Sequence, residues 1–350
     1  MGKNMQQRMR NCPTYLWEGG LFLVLLFSCF LGLMLGYKPL SPVNLFNNLI
    51  SGPAVGVLPV NSEIIWNLRI PRILLSLSAG VGLALSGVIM QALFRNPMSS
   101  PYIMGISSGA SLGVVAVVFL GLGTTFLGSA AMGLGAFAGA LLLSLCVIAA
   151  AGKRSGDTTY LLILGVAMSA VCGGVTGVLI YCGAASSGTD VSMYWLMGSV
   201  SFAKPGPSLA LFILVLCMTL FFLTQSRILN LMLLGREGTL PLGRDLKPFF
   251  KLYLLLNAIL VGAIVMEAGL IGFVGLIVPH FVRLLLGSNH KVVVPASVLL
   301  GGLLTVWADI LGRTIIHGIE FPIGVMLAVI GAPLFLVMLV ETAGKRGVRG

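Results

Sequence analysis

Two arginines three residues apart in "RIPR", Arg69 and Arg72, stand at the mouth of a long apolar run, and Asp309 and Arg313 stand four apart inside another, "ADILGR". The arginine pair has two readings: long side chains that snorkel to lipid headgroups, or cations offered to the carboxylates of a partner outside the membrane. An unpaired Asp309 inside an apolar helix costs roughly 3 kcal/mol on insertion scales. Arg313, one turn on, shares its helix face, so the two can form a structural ion pair. Glu320, two residues before Pro322, reads as a helix-start carboxylate.

Other candidate groups form no reactive constellation. His280 follows Pro279 in "GLIVPHFVR" with Arg283 a turn later, while His290 and His317 lie elsewhere and no H-E-x-x-H pattern occurs. His280 therefore reads as a packed, hydrogen-bonded residue, and neither a metal site nor a catalytic set is expected. Six cysteines, at 12, 29, 146, 172, 182 and 217, make no CxxC pair and read as small core residues. "AGKRSG" and "TAGKRG" lack both the glycine ahead of GK and the Ser/Thr after it that a phosphate-cradling loop needs. Any ATP-driven work must come from another chain, and no cofactor is expected in this one.

The elements that must position these residues are membrane helices. Of 350 residues 57% are hydrophobic and 9% charged, against roughly 25% charged in soluble domains. Crossing a ~30 Å hydrocarbon core takes about 20 apolar residues. Runs of that size fall at 17–36, 72–94, 101–121, 128–150, 159–181, 207–224, 249–267, 269–286, 294–313 and 321–340, so about ten spans in one polytopic domain, 1–350, are predicted. The 46 glycines suit close packing, with small-xxx-small spacings at Gly109/Gly113, Gly135/Gly139 and Gly173/Gly177. The first run lacks a signal-peptide cleavage pattern.

Ten spans put both termini on one side. With that side cytoplasmic, 16 of the 21 Lys and Arg residues lie inside, leaving Lys38, Arg69, Arg72, Lys204 and Arg313 outside. The positive-inside rule favours this orientation, and it explains the net charge of +11 better than a nucleic-acid partner does. Five spans plus five give the second half the opposite starting side, a geometry that permits an inverted repeat. The largest inner loop is 225–248.

"RNPMSSP", Arg95 to Pro101, breaks the chain between the second and third runs, where Pro97 and Pro101 interrupt helical hydrogen bonding. Taken alone it is a tight inner connection whose Arg95 obeys the charge rule. Two rival functions need other features. An ion-coupled secondary transporter would use Asp309 and Glu267 as coupling sites, and an intramembrane hydrolase would need a nucleophile with its base.

Five long stretches carry a resemblance in the right order: "RIPRILLSLSAGVGLALSGVIMQALFRNPMSSPYIMGISSGA", "YWLMGSV", "GLIGFVGLIVPHFVRLLLGSNHKVVVP", "ADILGR" and "EFPIGVMLAVIGAPLFL". From about Arg69 to Leu339 the chain resembles the permease subunits of type II ABC importers for iron siderophores, haem and cobalamin. The resemblance implies an all-α, ten-helix permease in the cytoplasmic (inner) membrane of a prokaryote. It implies a homodimer, two cytoplasmic ABC ATPase subunits that bind ATP and Mg, an extracytoplasmic substrate-binding protein, and no chemistry in the permease itself. The expected cargo is an iron siderophore or related metal chelate, with cobalamin or haem as the alternative.

The resemblance also assigns positions. Arg69, Arg72 and Arg313 match the arginines that receive the binding protein, and Asn96, Pro97 and Met98 match the cytoplasmic gate. The ATPase-coupling pattern L-G-E-x-x-A-x-x-L-G is kept in "LGREGTLPLG" at Leu234, Gly235, Leu242 and Gly243, but Arg236, Thr239 and Pro241 depart from it. Pro241 breaks any helix that crosses it outside a first turn.

Overall fold

The computed structural model describes residues 14–36, 39–52, 60–122, 128–151, 157–183, 195–239, 246–316 and 318–347. The described residues are overwhelmingly helical, as lipid requires of a chain that must satisfy its own backbone polar groups. The helices are α1 Thr14–Met34, α2 Pro42–Ser51, α3 Ile70–Leu93, α4 Ile106–Phe119, α5 Gly128–Ala151, α6 Thr158–Gly183, α7 Pro205–Thr224, α8 Ser226–Thr239, α9 Lys247–Ala268, α10 Val274–Leu286, α11 His290–Thr314 and α12 Ile323–Gly347. Each of the ten apolar runs overlaps one helix, and α2 and α8 are additional. A helical turn, Val60–Glu63, and a wide π-type stretch, Ile64–Arg69, lead directly into α3.

Two halves of matching design are visible in the lengths. In chain order α1, α3, α4, α5 and α6 have 21, 24, 14, 24 and 26 residues. The series α7, α9, α10, α11 and α12 has 20, 22, 13, 25 and 25. The packing follows the same scheme, because α3 lies against α11 as α9 lies against α5.

The third member of each half is short. At 1.5 Å per residue, 14 and 13 residues give about 21 and 20 Å of helix, well under the ~30 Å core. The runs 101–121 and 269–286 are thus helical only from 106 and from 274. Left-handed backbone stops the helix in both places: Gly105 has φ 79, Gly269 φ 68 and Phe273 φ 68. The two non-helical segments meet, with the Tyr102 hydroxyl donating to the Ile271 carbonyl at 2.9 Å and accepting from its N–H at 3.4 Å. Pro101 packs beside Gly275, level with Leu83 halfway along α3. Irregular backbone at this depth is tolerated because protein, not lipid, surrounds it.

Helix α3 is the axis of the bundle. Its apolar stretch is 83% buried, whereas that of α6 is 17% buried and faces outward. Close approach sets the position of α3: Gly80 abuts the backbone of Gly301 on α11, and Gly87 abuts that of Gly275 on α10. Two of the three small-xxx-small pairs face each other, with Gly109 against Gly139 and Gly113 against Gly135 along the α4–α5 seam. The third, Gly173/Gly177, lies on α6 with open space around it.

Candidate functional site

The charged side-chain networks of the bundle lie at its two ends. At one end, the first turn of α3 brings Arg72 to the last turns of α11. Arg72 Nε lies 2.8 Å from Asp309 Oδ1, and Arg72 Nη1 lies 2.9 Å from Glu320 Oε2. Arg313 Nη2 is 3.4 Å from Asp309 Oδ2, and it donates to the Gly32 carbonyl at 2.7 Å. Arg69 Nη1 donates to the carbonyls of Leu33 and Met34 at 2.5 and 3.0 Å. The end of α1 therefore provides carbonyls, which its last turn leaves without intrahelical partners, to two of the three arginines.

This network is mostly buried. Arg69 is 6% and Arg313 9% exposed, and Asp309 is 3% exposed. Both Asp309 oxygens are used, each by a different guanidinium. Three arginines against two carboxylates leave a net charge of +1 on the cluster. Glu320 is its outermost member, with a side chain 48% exposed. It lies ahead of α12 as expected of a helix-start carboxylate, but its contacts are with Arg72 and with the Ser201 hydroxyl, which donates to it at 2.8 Å. Ser201 went unnoticed in the sequence because nothing local marks a serine 119 residues from its partner.

Burial pushes the Glu320 carboxyl up, but the charge of Arg72, hydrogen bonds from Ser201 and Arg72, and the charge of Arg313 outweigh it and hold the carboxyl below its ordinary range. A carboxyl lowered by folding contributes stability that is complete above its unfolded pKa and disappears as pH falls through the folded one. Glu320→Gln is expected to lower the thermal midpoint in detergent at neutral pH. The gap to the unmodified chain should close on acidification below the ordinary carboxylate range; a gap that persists there would contradict this ion-pair account.

At the other end, α3 stops at Leu93 and the chain turns through Arg95 to Ser99. The Asn96 side chain accepts from the Met98 N–H at 2.9 Å, and the Asn96 carbonyl accepts from the Ser99 N–H at 3.0 Å. This Asx-type turn holds Pro97 at its tip. Asn96, Pro97 and Met98 are half-buried, Arg95 is exposed and Ser99 is buried.

Helix α8 docks beside that turn. Its start is fixed where Gln225 accepts from the Tyr253 hydroxyl at 2.9 Å, above a Phe222–Tyr253 ring pair 5.0 Å apart. Helical geometry fails at Gly235, with φ 73 and ψ 178, and Leu234 just before it is 57% exposed. Leu242 and Gly243, with Pro241, lie outside the described residues.

A second polar chain joins these elements. Arg283 on α10 donates to the Gln91 side chain on α3, and Gln91 donates to the Leu276 carbonyl at 3.1 Å. Arg283 Nη2 lies 3.5 Å from His290 Nε2, and Asn230 Oδ1 accepts from the His290 N–H at 2.9 Å. The sequence did offer a signal for it: Gln91 is a lone amide in the apolar "VIMQALF", and Asn289 caps α11 by accepting from the Lys291 N–H.

The remaining candidates stay apart. His280 is buried at 6% exposure with its Nε2 unpartnered among the described residues, and Glu267 is half-buried near the charge of Lys204. The five described cysteines are free, though Cys146, Cys182 and Cys217 are exposed on the bundle surface rather than packed in its core. Among the described residues no three His, Cys, Asp or Glu side chains are grouped to hold a metal ion.

A bundle of long apolar helices with charged networks at both ends and an appended helix beside one end turn defines a polytopic membrane protein. The chain belongs to the FecCD transport family, whose profile matches residues 24–341. It is 38% identical over 284 residues to the hemin transport system permease protein HmuU of Yersinia pestis, covering 81% of this chain and 85% of that one. It is 37% identical over 331 residues to the vitamin B12 import system permease protein BtuC of Klebsiella pneumoniae, covering 94% and 95%. Among solved structures it resembles an inward-facing putative metal-chelate type ABC transporter, with a TM-score of 0.78 and 31% identity over 93% of this chain and 98% of that one. PsaBC of Streptococcus pneumoniae, with a TM-score of 0.53 and 19% identity, shares the fold. The chain is accordingly an ABC importer permease, a transport subunit and not an enzyme.

Proposed function

We propose that this permease moves an iron siderophore or a related metal chelate across the cytoplasmic membrane, as a homodimer with two ATPase subunits on the inside and a binding protein on the outside. The observation that carries the proposal is the family match over nearly the whole chain, with a haem permease, a vitamin B12 permease and a metal-chelate type transporter among the similar proteins. The same relatives support haem or cobalamin as the second reading of the cargo. Uptake of a labelled ferric siderophore by the reconstituted complex, with haem and cobalamin as competitors, decides between them. Uptake of labelled cobalamin or haem with no uptake of the siderophore would replace the first cargo with the second.

Asn96, Pro97 and Met98 are the proposed gate at the inner end, and Leu234, Gly235, Leu242 and Gly243 the proposed ATPase contact. The exposed Leu234 supports this assignment, since it gives α8 an apolar tip beside the gate turn. The open face of α6 around Gly173 and Gly177 suits the approach of a second copy.

Arg69, Arg72 and Arg313 are the proposed docking cluster for an acidic surface of the binding protein. Its net positive charge supports docking, although the guanidiniums already hold internal partners. Attraction of this kind is screened once the Debye length shrinks to ~10 Å near 0.1 M salt. The affinity of the cognate binding protein for the liposome-held permease should therefore fall as salt rises, and an affinity indifferent to salt would remove the electrostatic reading.

A further inference from the structure

The gate turn and α8 meet at Arg95 and Gly235, and the backbone of both is left-handed there. Arg95 has φ 50 and Gly235 φ 73. The volume that a Cβ on Gly235 would occupy is filled by the Arg95 guanidinium, and Gly235 is buried. A side chain at 235 would meet backbone strain, and the Arg95 guanidinium would have to move aside for it.

Helix α8 is pinned five residues earlier. Asn230 Oδ1 lies 2.7 Å from His290 Nδ1 as well as accepting from the His290 N–H, and Asn230 Nδ2 donates to Asn289 Oδ1 at 3.0 Å. His290 is fully buried. Through Arg283 and Gln91 the pin continues into the last turn of α3, which stops at Leu93, two residues before Arg95. One short helix thus has a fixed point near its middle and meets Arg95 at Gly235, five residues on.

We propose that Arg95 is a positioning residue that passes movement of α8 to the Asn96–Met98 turn, with the Asn230–His290 contact as the fulcrum. The inference rests on the reading of 225–248 as the ATPase-coupling loop. Tilting α8 about Asn230 carries Gly235 against or away from Arg95. Arg95 is bonded directly to Asn96, so displacing it re-aims the turn without help from any other helix. The contact biases a two-state element only if it differs between the states.

The test uses the full chain with its ATPase subunits and binding protein in proteoliposomes, and reads cargo transported per ATP hydrolysed. Arg95→Ala is expected to lower that ratio by ~2- to 30-fold, the range seen for residues along coupled networks, while ATP hydrolysis continues. Arg95→Lys, which keeps length and charge, should recover most of it. Asn230→Leu, which removes both the acceptor for the His290 N–H and the donor to Asn289, should give a comparable drop. An unchanged ratio in both Arg95→Ala and Asn230→Leu overturns the relay, even if uptake and hydrolysis fall together. If the unmodified complex shows no ATP-driven uptake, the coupling-loop reading itself fails instead.

Discussion

Replacing Asp309 by Ala is expected to destabilise the permease by about 3–5 kcal/mol, the penalty for removing one partner of a buried ion pair. The effect is placed at the upper part of that range because Asp309 serves two arginines. Its Oδ1 is bound by Arg72 and its Oδ2 faces Arg313, with side-chain exposures of 2, 12 and 5% for the three. Without the carboxylate two guanidiniums remain buried beside each other, with Glu320 paired directly to Arg72. Asp309→Asn keeps shape and acceptor but loses the charge, and should lie between the two in thermal stability in detergent. A midpoint for Asp309→Ala within a degree or so of the unmodified protein would show that this cluster does not hold the α1, α3 and α11 ends together.

The network also changes what charge reversal at Arg69 and Arg72 can reveal. Such a substitution at Arg72 would add a third carboxylate to Asp309 and Glu320, so lost uptake would report a damaged fold as readily as lost docking. The salt dependence of binding by the intact protein avoids this ambiguity.

A comparable loss is expected from Gly113→Leu. The Cβ alone would collide with the Gly135 backbone, and backbone on a neighbouring helix cannot swing aside as a side chain can. The α4–α5 seam must open along its length, because Gly109 and Gly139 are in the same close contact one turn away. Overpacking costs 1–3 kcal/mol in cores that can shift and more where they cannot. Gly20→Leu on α1 is the matched control, since nothing lies within 4 Å of its Cβ position. The first variant should lose thermal stability and the second keep it; equal stability of the two would refute the seam.

Apolar length was the most legible property of the sequence. All ten runs became helices because continuous hydrogen-bonded backbone is the condition for lying in lipid, and that condition is written locally. Starts were less legible. The runs at 101 and 269 are as apolar as the others, but their first residues are unwound because Gly105, Gly269 and Phe273 adopt left-handed backbone and Tyr102 satisfies Ile271 across the fold. The helix Pro42–Ser51 was hidden in a polar loop, although Ser41 caps it.

Partners were legible only at short range. Asp309 and Arg313 could be paired from their spacing, whereas Arg72 and Glu320 are 248 residues apart and Arg283 and Gln91 192 apart. Such pairs are set by which helices become neighbours, and no local pattern encodes that. The burial of Arg69 and Arg313 is illegible in the sequence for the same reason.

The central claim is that this bundle is driven by ATP hydrolysed on partner subunits. It is tested most directly by cargo uptake into proteoliposomes holding the permease, its ATPase subunits and its binding protein. The account predicts uptake that requires ATP and persists when ion gradients are collapsed. Uptake by the permease alone, driven by an ion gradient without ATP, would contradict it.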